Sequence, residues 1–156
     1  MRGLLFLLIT AGLLPAQTTL VPAGSVWKYL DNGSNQGTAW RTPAFSDAAW
    51  PSGAAELGFG DGDEATVIRR TNTLGSIATF YFRKTITLTN NAQFGTYRLR
   101  LLRDDAGIVY FNGTEVLRSP NMPAGEVAYN AYTGGTAPPD NTVDTTNLVN
   151  NGLILS

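Results

Sequence analysis

Asp61, Asp63 and Glu64 stand in the run GDGDE, with glycine set between the acids. Glycine lets a backbone bend sharply, so several carboxylate oxygens can be aimed at one point. Such a point suits a hard cation, and calcium takes about six to eight oxygen ligands. Backbone carbonyls and water would have to complete the set. The spacing is not that of a helix-loop-helix calcium site, and a solvated acidic loop is the plainer alternative. A second acidic pair, Asp104-Asp105, follows Arg103. Adjacent carboxylates repel unless a cation, amide donors or water screen them. Asp105 is a candidate calcium ligand, and Arg103 and Asp104 are candidate ligand contacts. Turn formation is the competing reading, because Asp side chains bond nearby amides and favour bends. Tyr129 and Tyr132, after Met122, are candidate exposed aromatic contacts. Trp27, Trp40 and Trp50 could stack on sugars too, but sandwich cores use Trp heavily, and these three read as core.

The absences are as informative. The 156 residues contain no Cys and no His. No disulfide can form, no thiolate or imidazole can bind zinc, and Ser-His-Asp or Cys-His nucleophilic machinery cannot be built. A carboxylate-pair glycosidase needs its two carboxyls about 5–10 Å apart across a cleft, and nothing in the sequence predicts a cleft. The chain therefore reads as a non-enzyme. Net charge is −1, which gives no basic field for nucleic acid.

The opening residues MRGLLFLLITAGLLPA, 1–16, read as a signal peptide. Arg2 is the positive start, Leu4 to Leu14 the apolar run, and Pro15-Ala16 the cleavage region. That run is too short to span a bilayer comfortably. The mature chain is expected to be exported, as a secreted or cell-surface protein without a membrane span. Export without Cys suits a bacterial source.

After residue 17 the punctuation is that of strands. Gly 17 and Pro 8 suit short strands joined by turns. Alternation predicts strands at Ser25–Leu30 and Tyr97–Leu101, with Tyr97, Leu99 and Leu101 inward and Arg98 and Arg100 outward. Aromatic and β-branched residues predict another over Thr79–Leu88, with Phe80, Phe82, Thr85 and Ile86 as sheet members. Asn112-Gly113 predicts a type I′ hairpin. Its register would set Phe111 against Thr114, Val109 against Val116, and Ile108 against Leu117. Ser46–Trp50 is the one short helix candidate, and Gly134–Asp144 reads as a polar loop. The sum is an all-β, antiparallel sandwich over residues 17–156.

The motifs, in their order, resemble those of galactose-binding-like jelly-roll domains of secreted bacterial proteins. Trp40, Phe45, Asp47 and Trp50 match W-x-x-x-x-F-x-D-x-x-W. ELGFGDGDEATV resembles the Gly-rich loop that follows, TFYFRKTITL the next strand, and VYFNGTEV the hairpin of that pattern. The resemblance implies a non-catalytic accessory or binding module, directed at carbohydrate and fused to a further domain. Its pattern ends in a strand after LVNNG, and the chain ends at Ser156. In a fragment of a longer protein the sandwich lacks the rest of that last strand; in a complete chain a sheet is left with an open edge, and the alternative role is a structural or adhesive subunit that assembles through it. LRDDAGIVYFNG also resembles a segment of PA14-type sandwiches, which implies calcium at Asp104-Asp105 and a glycan bound through it.

Overall fold

The computed structural model describes residues 17–89, 91–133, 139 and 142–150. The expected signal peptide at 1–16 and the final residues 151–156 lie outside them. Among the described residues eleven strands follow one another: β1 (Val26–Leu30), β2 (Ser52–Ala54), β3 (Leu57–Gly58), β4 (Thr66–Val67), β5 (Thr71–Asn72), β6 (Gly75–Ser76), β7 (Tyr81–Arg83), β8 (Thr96–Arg103), β9 (Ile108–Phe111), β10 (Thr114–Arg118) and β11 (Thr142–Val149). Two single 3-10 turns, Ala39–Arg41 and Asn91–Gln93, are the only helical elements among the described residues. The protein is thus all-β and sandwich-like. No helix among the described residues is long and apolar enough to cross a membrane.

β1 is the centre of a three-stranded antiparallel sheet, β2–β1–β7. β8 and β11 pair antiparallel over eight residues each, and β9–β10 form a hairpin. Among the described residues only the two-residue β3–β4 pair is parallel. Trp40 joins the layers: its ring meets Tyr81 of β7 at 5.0 Å and Tyr110 of β9 at 5.8 Å, both edge-to-face. This is the geometry that the aromatic quadrupole favours. Among the described residues Trp50, Ile68, Ile77, Tyr81, Tyr97 and Leu117 are the buried apolar ones. Of the three tryptophans only Trp50 is fully buried; Trp27 and Trp40 are half-buried.

The parity read in β8 holds. Tyr97 is buried, Leu99 and Leu101 are half-buried, and Arg98 and Arg100 are exposed. The hairpin needs correction. Phe111 does face Thr114, but Val116 is an extra residue, so Leu117 faces Val109 and Arg118 faces Ile108. A bulge of this kind re-aims the side chains beyond it. Leu117 ends in the core, and Arg118 reaches Glu115 and the carbonyls of Pro123 and Gly125. Thr79–Leu88 is strand only at Tyr81–Arg83, so Phe80, Thr85 and Ile86 lie outside the ladder. Propensity alone does not make a strand where no partner edge is offered. Ser46–Trp50 is a single turn closed by the Trp50 amide on the Asp47 carbonyl at 3.0 Å. Thr142–Asp144, expected in a loop, begins β11, because pairing with Leu101–Arg103 overrides the turn-rich composition before it. Residues 134–138, 140 and 141 lie outside the described residues.

At the hairpin tip Asn112 has φ 48° and Gly113 φ 87°. Side chains other than Asn and Asp are strained there, by about 1–3 kcal/mol. Gly113→Val is expected to lower the melting temperature by several degrees. A melt within about a degree of wild type would contradict the assigned turn.

Candidate functional site

The loop between β3 and β4 gathers acids. One carboxylate oxygen from each of Asp61, Asp63 and Glu64 lies within 4.8 Å of the others. The order of residues explains why. Glycines at 60 and 62 have φ of 117° and 84°, which lets the loop double back. Glu64 then accepts the amides of Asp61 and Gly62, each at 3.0 Å. Those amide donors hold the Glu64 carboxyl below its ordinary pKa. Glu56 is pushed the other way, first by burial and then by the charges of Asp63, Asp61 and Glu64. The loop is therefore a concentrated negative field. Its donor set is hard oxygen and fits calcium chemistry, with further ligands needed from backbone or water. Asp105 is not part of this group; it stands on the separate bend between β8 and β9.

At that bend Asp104 and Asp105 are both exposed. Arg103 is not. Its guanidinium grips Asp144 of β11 with two bonds, at 2.9 and 3.1 Å, and donates a third to the Asp105 carbonyl at 2.7 Å. The Ser119 hydroxyl also donates to Asp144. Asn121 donates to the same Asp105 carbonyl at 3.2 Å. Arg103 thus fixes the bend that displays the two acids, with three of its five N–H donors bonded within the protein. Arg103 pulls the Asp144 carboxyl below its usual range, and Ser119 adds to this.

Tyr129 and Tyr132 lie together in the segment after the hairpin, 40% and 66% exposed. The Tyr132 hydroxyl donates to the carbonyl of Ser76 in β6 at 3.3 Å. That bond brings Tyr132 beside the β5–β6 turn, whose residue Leu74 is 94% exposed. The result is an apolar ring held at its polar end and two-thirds exposed.

Sequence reasoning missed the supports of this segment. Arg41 stacks over Tyr110 at 4.5 Å and pairs with Glu126 at 2.6 Å. Arg118 ties down Pro123 and Gly125 of the same loop. Arg41 and Glu126 lie 85 positions apart, whereas Arg118 reaches only five and seven positions along the chain; no local pattern announces either. No family model, curated protein or solved structure matches the chain.

Proposed function

We propose that the chain is a secreted or cell-surface, non-catalytic binding module of galactose-binding-like, jelly-roll type, directed at carbohydrate and carried by a larger extracellular enzyme or surface protein. The observation that supports it is Tyr132. An aromatic ring stacks on the C–H face of a sugar with least entropic cost when it is already fixed. Tyr132 has its hydroxyl anchored on Ser76 and two-thirds of its surface open. Tyr129 and the bend at Asp104 supply further contacts in this reading, and calcium in the loop of Asp61, Asp63 and Glu64 stiffens the rim.

A glycan array with and without calcium tests it. Wild type is expected to retain a polysaccharide, and Tyr132→Ala to bind it roughly tenfold more weakly, a change of about 1.4 kcal/mol. Silence across the array would overturn the reading. The calcium component has its own readout. Calcium is expected to raise the melting temperature of wild type but not of Asp61→Asn/Asp63→Asn. Equal melts with and without calcium would remove it.

A second reading, a structural or adhesive subunit, is favoured by the β8–β11 ribbon. Among the described residues each of its strands has one hydrogen-bonded neighbour, and Leu102, Val143 and Val149 stand exposed on it. Unpaired edges template further strands. Concentration-dependent assembly in light scattering, together with silence on the array, would select this reading.

A further inference from the structure

A groove of about 310 Å³ opens over the three-stranded sheet, at the small end of the roughly 300–1,000 Å³ usual for ligand sites. Val26, Lys28, Asp47, Ser52, Arg83 and Lys84 line it. The ladder brings them together: Lys28 of β1 faces Ser52 of β2 on one side and Arg83 of β7 on the other. Arg83 is held by Asp47 at 2.9 Å. The two lysines are different. Lys28 donates to the Trp50 carbonyl at 3.0 Å, and Lys84 to the Val26 carbonyl at 2.9 Å. Neither meets a carboxylate among the described residues.

An ammonium has three donors, and a backbone carbonyl takes one of them. Each lysine is thus positioned by its carbonyl and keeps further donors, and Lys84 also lies 5.9 Å from the centroid of the Trp27 ring. With Asp47 as its one acid, the lining carries two positive charges in excess, on a chain whose net charge is −1. The Ser52 hydroxyl adds a neutral donor-acceptor of the kind a sugar hydroxyl pairs with.

We propose that this groove binds the acidic group of an acidic polysaccharide, a carboxylate or sulfate bridging Lys28 and Lys84. The proposal rests on the carbohydrate-binding reading and narrows it to anionic sugars. Its residues are not those of the Tyr132 surface, so the two can fail separately.

Affinity electrophoresis of the full chain through polygalacturonate, chondroitin sulfate and neutral dextran tests it, at low and high salt. Retardation is expected in an acidic polymer, weakened by salt as exposed charges are screened. Polygalacturonate against chondroitin sulfate distinguishes carboxylate from sulfate. Lys84→Gln and Lys28→Gln are each expected to weaken binding on the order of tenfold, and Lys84→Arg, which keeps the charge, to retain it. Lys84 guards against loss of folding, since its ammonium bond is exposed; its variant is expected to melt like wild type. Acidic-polymer binding that both Gln variants leave unchanged would overturn the proposal. So would binding to neutral glycans alone, which would leave the module reading standing. No binding to any glycan would overturn both.

Discussion

Asp144→Ala is expected to destabilise the fold by about 3 kcal/mol, the lower end of what removing one partner of a buried pair costs. Arg103 and Asp144 have side chains only 9% and 15% exposed. Removing the carboxylate strands the guanidinium in low dielectric and unties Ser119, whose hydroxyl also donates to Asp144. One side chain therefore holds β8, β11 and the end of β10 together. Urea unfolding measures the loss. Arg103→Met/Asp144→Leu separates pairing from burial: with both charges gone, the double variant should be more stable than Asp144→Ala. A cost below about 1 kcal/mol for Asp144→Ala would mean that the pair is solvated. The pH dependence follows in sign. Arg103 lowers the Asp144 pKa in the folded state. The stability so gained is full above the ordinary carboxyl value of 3.8 and is lost as pH falls through the lower, folded value. Asp144→Asn should flatten that part of the acid limb.

Trp50→Ala is the other large effect, about 3–5 kcal/mol. Trp50 is 7% exposed and sits between Phe45, at 5.6 Å between ring centroids, and Tyr81, at 6.2 Å. Tyr81 in turn carries the Trp40 contact that joins sheet to hairpin. Few apolar side chains are fully buried, so one indole is a large share of a total stability that is typically about 5–15 kcal/mol. Trp50→Phe, which keeps an aromatic ring in the site, should cost less. Urea midpoints report both, and a Trp50→Ala variant within about 1 kcal/mol of wild type would place the core elsewhere.

These two residues mark what was legible in the sequence. Trp50 could be read as core from its type and spacing. Asp144 could not, because its partner lies 41 positions away. Arg103 did carry a signal. The alternation that turns Tyr97, Leu99 and Leu101 inward also turns Arg103 inward, and an inward arginine demands an acid. The Asn112-Gly113 turn is encoded in two residues and was readable, whereas the bulge at Val116 is set by packing of Leu117 and was not. The strand at Thr142–Val149 was hidden by the turn formers before it, since only β8 reveals its pairing. At the acidic loop the glycine spacing did foretell convergence of Asp61, Asp63 and Glu64. The exposure of Tyr132 was readable from its place in the loop after Met122; its anchor on Ser76, 56 residues away, was not. The same holds for the groove that Lys28 and Lys84 both line, which forms because the β1–β7 ladder sets Lys28 against Arg83.

The central claim is that carbohydrate is recognised on the surface around Tyr132. Saturation-transfer NMR between the protein and an oligosaccharide retained on the array tests it most directly. Transfer from the Tyr132 ring to sugar C–H protons, abolished in Tyr132→Ala while the fold's chemical shifts persist, is the predicted result. An oligosaccharide that receives the same transfer from the Tyr132→Ala variant would contradict it.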